Sequence, residues 1–266
     1  MAEGGKIDPM HQFTVEPLFG TTNWSLGGYN IAFTNSALWM VLALLALWVF
    51  MIGGMRKQLV PGRWQAAVEG LTGFVDNMLA SNVGKEGRRF VPLVFTLFSF
   101  ILMANLLGLL PIGIFRPLAP GLHPFASTSH FTLTGVLALL SFGTVLVVGF
   151  ARHGFHFFSL FVPHGTPWWL MWLIPPVEFF SFMVRPFSLA LRLFVAMTAG
   201  HILLEVLAGF VVQSGSSGLL WGTIVGLPTF LLMIGISALE LLVCVIQAYV
   251  FALLTSLYLN DAVNLH

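Results

Sequence analysis

Two apolar runs, residues 167–213 and 219–259, set the terms for everything else in this sequence. About 20 apolar residues suffice to cross a hydrocarbon core of about 30 Å. As continuous helices these runs would reach about 70 and 60 Å at 1.5 Å per residue. Either each is steeply tilted, or Pro175, Pro176, Pro186 and Pro228 break them into shorter pieces. Three runs of ordinary spanning length precede them, at 37–55, 90–115 and 131–151. The turn-forming linker QSGSSGLLWG, 213–222, predicts that the two long helices fold into an antiparallel hairpin. The expected architecture is an all-α membrane protein of about five transmembrane helices, one membrane domain over 1–266, with 1–36 as an outer N-terminal segment.

Charge agrees with a bilayer setting. Only 8% of the 266 residues are charged, where a soluble domain carries about 25%. A net charge of +1 gives no footprint for nucleic acid. The single cysteine, Cys244, lies in an apolar run, so no disulfide forms within the chain and the redox compartment stays unreadable. The opening MAEGGKIDPMHQF has neither a basic-then-apolar signal peptide nor an Arg-rich presequence, so the spans themselves are expected to direct insertion. That fits a bacterial inner membrane protein or one made inside an organelle.

Between the first two spans, 62–82 carries Trp64, Ala67, Val68, Leu71, Phe74, Val75, Met78 and Leu79 at three-four spacing. Arg63, Gln65, Glu69, Thr72, Asp76 and Asn77 take the other face. This pattern predicts an amphipathic helix lying on the membrane surface, with a short cytoplasmic loop helix as the plainer alternative. Arg56, Lys57, Arg63, Lys85, Arg88 and Arg89 lie in the same connection, and Arg152 follows the third span. The opposite side holds Lys6 and Arg116. Basic residues favour the cytoplasmic side, which places the N-terminus outside and, after five crossings, the C-terminus inside.

The long hairpin also carries polar groups. Glu178, Ser181, Arg185, Ser188 and Arg192 sit at offsets 0, 3, 7, 10 and 14, one continuous stripe on a helix. His201, nine residues beyond Arg192, turns to the opposite side, and Glu205 shares its face. Ser237, Glu240, Cys244 and Gln247 form a second stripe in the final helix. A hairpin centred near residue 218 brings Gln247 to within about a turn of Arg192 and Glu240 to within two turns of His201. Such groups can serve only to hold helices together. Arginine, however, cannot release its proton, so Arg192 is a fixed cation. Histidine and glutamate exchange protons near neutral pH when their surroundings shift them. A permanent cation flanked by titratable groups suggests a proton path with a barrier in it.

The other histidines signal less. His153, His156 and His164 fall in a cytoplasmic loop, and His153 and His156 have metal-compatible spacing, but solvated loop residues explain them as well. His123 and His130 lie near the outer end of the second and third spans. No zinc cluster, nucleotide loop or nucleophile elbow is visible, so no metal, cofactor or catalytic site is expected.

Several stretches match a family. RPFSLALRLFVAMTAGH (185–201), PPVEFFSF (175–182), MANLLGLLP (103–111), QAYVFALLTSLYL (247–259) and DPMHQF near the start resemble subunit a of rotary ATP synthases. The AGH ending and RHGFHFFSLFVPHG (152–165) resemble the alphaproteobacterial and mitochondrial branch. The resemblance implies a subunit beside a ring of c subunits, held by b-type peripheral stalk subunits that reach the catalytic head. It implies long tilted helices following that ring, and two offset half-channels. Arg192 matches the family's essential arginine, and Glu178 an acidic residue of the cytoplasmic half-channel. His201 and Glu240 match an outer half-channel pair that many bacterial members carry in the reverse order. Gln247 and Asn105 match a glutamine near the arginine and an asparagine of the second span. Glu205 is the neighbouring group expected to complete the relay, and Ser181, Arg185, Ser188 and Ser237 support the stripes. There are departures: Ala196 stands where many relatives have Asn, and Gly108 and Gly113 where some have acids.

Two other readings fit intramembrane charge. An ion-coupled secondary transporter would show paired repeats with broken helices, and 167–259 has no second copy in this chain. A haem-bearing subunit needs axial ligands deep in the membrane, where only His201 clearly lies.

Overall fold

The computed structural model describes residues 14–15, 17, 25–26, 29–30, 33–55, 61–110, 127–162, 168–216 and 218–264. Lys6, DPMHQF, Arg56, Lys57, Gly113, Arg116, His123 and His164 lie outside the described residues. A two-residue antiparallel ladder, β1 (Ser25–Leu26) with β2 (Tyr29–Asn30), precedes the helices that make up most of the described residues. Among the described residues, five helical stretches are long and apolar enough to cross a membrane: Asn35–Gly54, Glu86–Leu109, Phe131–Phe158, Ile174–Ser216 and Gly222–Val263.

Helix α1 (Asn35–Gly54) starts on its own polar cap. The Ser36 N–H donates to Asn35 Oδ1 at 2.9 Å and the Ala37 N–H to Thr34 Oγ1 at 3.4 Å, satisfying donors that a helix start leaves open. Helix α2 (Arg63–Asn82) buries Val68, Val75, Met78 and Leu79. It packs back on the end of α1, where Trp64 Nε1 donates to the Phe50 carbonyl at 2.8 Å. Gly54 makes that approach possible, because a Cβ there would come within 2.8 Å of Val68 Cβ. One residue departs from the expected pattern: Gln65, assigned to the polar face, is buried. Its amide nitrogen donates to Glu69 Oε1 at 2.7 Å, a partner one turn away that makes burial tolerable.

After Gly84, whose φ of 83° only glycine adopts freely, a 3₁₀ segment (Lys85–Phe90) leads into α3 (Val91–Leu109). Helix α4 (Phe131–His153) follows. Its Ser141 hydroxyl pairs with that of Thr255 at 2.8 Å inside the core. Around its C-terminal half, Phe142, Phe157, Phe161 and Phe182 stack with centroids 4.9–6.5 Å apart.

The length of the last two runs is resolved in favour of continuity. Helix α5 (Ile174–Ser216) runs for 43 residues with Pro186 inside it, and α7 (Leu227–Val263) runs for 37. Pro175 and Pro176 fall in the first turn of α5, where a missing N–H breaks no helical bond, whereas Pro228 follows the π-helical Gly222–Gly226 directly, inside one continuous span, Gly222–Val263. Helix α5 is therefore about 65 Å long, and crossing a core of about 30 Å demands a strong tilt or projection beyond it. The connection between the helices is a three-residue turn, α6 (Leu219–Trp221), and a π-helical segment, Gly222–Gly226.

The chain divides into two compact units. The first comprises Met1–Leu45, Leu102–His130 and Phe194–Ile246. The second comprises Ala46–Ile101, Phe131–Leu193 and Gln247–His266.

Candidate functional site

The first unit contains the most deeply buried charge-bearing pair. His201 on α5 and Glu240 on α7 are 9% and 2% exposed, and His201 Nδ1 lies 3.7 Å from Glu240 Oε1. The expected register left up to two turns between them; the structure sets them face to face. The adjacent Gly200 explains how. A Cβ at that position would sit 2.8 Å from the Glu240 Cδ, so only a glycine lets the carboxyl come so close to α5. Next along the seam, Met197 and Cys244 touch through their sulfurs at 4.0 Å.

Several buried polar atoms of the first unit lack a hydrogen-bond partner among the described residues. Both oxygens of Glu240, His201 Nε2 and both amide atoms of the fully buried Asn105 have no hydrogen-bond partner among the described residues. Buried polar atoms are normally satisfied by protein or by ordered water. Glu205, half-buried, follows His201 by one turn. Thr198 is satisfied by the Phe194 and Ser129 carbonyls, at 2.8 and 3.3 Å. Burial holds the nearby-in-sequence His130 below the usual imidazole range, because desolvation disfavours the cation.

The second unit holds the other stripe. Arg185 donates to Asp261 Oδ2 at 2.7 Å. Its guanidinium also lies 5.1 Å from the Tyr258 ring centre and 5.6 Å from that of Phe182, which adds cation–π attraction. Sequence reasoning missed Asp261. As the acid near the end of the final helix it was visible, but finding its partner needed the true hairpin register. Glu178 and Ser188 are half-buried and Ser181 is exposed. Gln247 is half-buried, and among the described residues no hydrogen bond joins it to Arg192.

Arg192 stands apart from all of these. It is exposed, and among the described residues it makes no ion pair. On α5 it shares its stripe with Ser188 and Arg185, while Val184 and Phe187, 52% and 56% exposed, lie off that stripe and Leu189 and Leu193 turn inward. The second expected stripe splits: Glu240 and Cys244 are buried, whereas Ser237 is exposed and donates to its own Met233 carbonyl at 2.8 Å. A serine that back-bonds within its helix needs no interhelical partner. His153 contacts the Val263 carbonyl at 3.3 Å and His156 is exposed.

Comparison with known proteins covers almost the whole chain. Residues 36–260 match the family described as ATP synthase A chain. ATP synthase subunit a of Rhizorhabdus wittichii is 67% identical over 265 residues, covering 100% of this chain and 99% of that one. The Novosphingobium aromaticivorans subunit a is 66% identical with both chains covered fully. The Rhodospirillum rubrum subunit a is 44% identical across 97% of this chain and 99% of its own. With its apolar spans, its Arg192-centred helix and this similarity from end to end, the chain belongs to the ATP synthase A chain family.

Proposed function

We propose that this chain carries protons to and from a rotating ring of c subunits in the membrane sector of an ATP synthase. The observation that carries the reading is Arg192. An exposed guanidinium at the end of the Glu178–Arg192 stripe, with no ion-pair partner among the described residues, suits an anionic partner on a second molecule. A membrane-embedded ring carboxylate is that anion. As each carboxylate arrives deprotonated, Arg192 stabilises it, and because the arginine cannot take up or release a proton it bars direct flow between the two sides.

His201, Glu240, Glu205 and Asn105 form the outer half-channel in this reading. The buried, partly satisfied polar atoms of Glu240, His201 and Asn105 suit a water-filled relay. A proton boards the ring there, rides almost a full turn, and leaves past Glu178 on the cytoplasmic side. Gln247 orients the arginine face, and Arg185, Ser181, Ser188 and Ser237 support the helix surfaces. Each charge crossing the membrane releases about 2.3 kcal/mol per 100 mV, which the ring passes to a catalytic head. This chain then has no catalytic site of its own, and b-type stalk subunits hold it still against the ring. In this reading the chain is a multi-pass protein of a bacterial inner membrane, and the basic residues of the 56–89 connection support an N-terminus outside and a C-terminus in the cytoplasm.

ATP-driven acidification of inverted membrane vesicles, with and without sodium, tests the reading. Acidification in the absence of sodium is the expected result. Strict sodium dependence would replace the proton with a sodium ion. Purification without a small, two-helix, carboxylate-bearing ring protein would favour an ion-coupled secondary transporter instead.

A further inference from the structure

One cavity belongs to neither group of polar residues. It has a volume of about 580 Å³ and is lined by Glu86, Arg89, Phe90, Val148, Ala151 and Arg152. Glu86 opens one spanning stretch and Arg152 lies near the close of the next, so the pair of helices brings both to the same membrane face. Arg152 is ion-paired to Glu86, which fixes its direction while its side chain remains 42% exposed. Arg89 is exposed too. Two arginines and one carboxylate leave the cavity with one uncompensated positive charge. The adjacent Arg88 reaches toward Asp76, 3.9 Å away, and is not among the lining residues.

The rest of the lining is apolar: Phe90, Val148 and Ala151. Beyond it the outward face of α4 continues the same chemistry. Val136, Leu139, Leu140 and Val147, 48–69% exposed, recur at helical spacing away from the charged rim. A cationic rim opening onto an apolar strip has the two-part character of a phospholipid.

We propose that this cavity is the headgroup site of an anionic diacyl phospholipid. The phosphodiester accepts hydrogen bonds from Arg89 and Arg152, and the acyl chains lie along α4. Guanidinium groups suit this task because their planar forks match phosphate oxygens. Basic pockets between spanning helices at the membrane surface are a recurrent setting for such headgroups. One negative charge on the diester matches the one positive charge left by the lining, and Glu86 disfavours a more highly charged ligand. Inorganic phosphate shares the headgroup chemistry but makes no use of the apolar strip.

The test uses the complete, purified synthase in phosphatidylcholine vesicles, with photoactivatable phosphatidylglycerol or phosphatidylcholine as probe. Crosslinks are mapped by mass spectrometry. Phosphatidylglycerol is expected to label α4 peptides around Val147 at lower mole fraction than phosphatidylcholine. Arg89→Gln and Arg152→Gln should each weaken that labelling roughly fivefold, the scale of one basic residue at an anionic lipid surface. Excess inorganic phosphate should leave it unchanged. Equal labelling by the two lipids overturns the proposal, as does an assembled double variant labelled like the parent. Displacement by inorganic phosphate would make this a free-phosphate site, and absence of any α4 label would mean that a protein partner covers it. Should the double variant fail to assemble, the comparison of the two lipids on the unaltered synthase and the phosphate competition still decide.

Discussion

Two acid–base pairs in this molecule are built on opposite terms. Arg185 and Asp261, with side chains 29% and 38% exposed, meet at 2.7 Å beside the faces of two aromatic rings. His201 and Glu240 are almost wholly buried, sit 3.7 Å apart, and leave polar atoms without a hydrogen-bond partner among the described residues. The first pair has short, direct contacts and stays near solvent, so it can hold helices without exchanging anything. The second is buried, with a longer separation and with polar atoms that have no hydrogen-bond partner among the described residues, the setting that the proposed relay uses. Arg192 is a third case, a charge with no ion pair among the described residues.

This contrast can be broken most forcefully at Arg192. Arg192→Ala should abolish ATP-driven pumping and open a passive proton leak, since the fixed charge separating the two paths is gone. Arg192→Lys should also fail to couple, because an ammonium lacks the planar delocalised charge and can lose its proton when desolvated. Normal acidification by either variant, with assembly confirmed, would sink the mechanism.

Next in size come the buried pair. His201→Ala and Glu240→Ala should each slow pumping on the order of a hundredfold, the scale of a lost positioned acid–base group, with normal amounts of assembled subunit. The exchanged variant, His201→Glu with Glu240→His, should recover more than His201→Glu alone. Loss of assembled complex in step with activity would instead make the pair a structural clamp. Gly200→Ala sharpens the same point without touching a titratable group. A methyl there must push the Glu240 carboxyl aside, so pumping should fall roughly tenfold, judged by the cost of misplacing a reacting group by about 1 Å. Unchanged pumping would show that the close approach is incidental.

Glu178→Gln should slow transport several-fold without a leak, as the arginine barrier remains; a large leak would move Glu178 into the barrier. The smallest effect is expected at the solvated pair. Asp261→Asn should lower stability by less than about 1 kcal/mol, read as a small fall in the urea midpoint of the assembled sector, with pumping nearly intact. A transport defect as deep as that of Glu240→Ala would erase the distinction between the two pairs.

Much of this was legible before any coordinates, for a simple reason. Apolar length reports membrane spans directly, and charge inside such spans is costly enough to stand out. Glu240 and His201 emerged as neighbours from a hairpin register alone. What escaped were quantities that depend on how the turn is built. The register centred near 218 was too early, because α6 and the π-helical Gly222–Gly226 lengthen the connection; Asp261 was missed for the same reason. Proline left tilt and breakage both open in the sequence, because its effect depends on position: Pro175 and Pro176 fall in a first turn, and α5 runs on through Pro186. Gln65 was misplaced because periodicity does not register a local amide–carboxylate bond.

The π-helical segment carries one more consequence. An i→i+5 turn holds one residue more than an α-helical turn, so Gly222–Gly226 stores slack in the chain. Shortening the segment by one residue converts that turn to ordinary α-helix and leaves the phase of α7 as it was. Removing a residue within Leu227–Ala238 rotates everything before it by about 100° relative to Glu240, and there the helix has no reserve to absorb the change. The hairpin thus tolerates a change of length at its bend far better than along its arms, much as a watch strap is adjusted at the buckle.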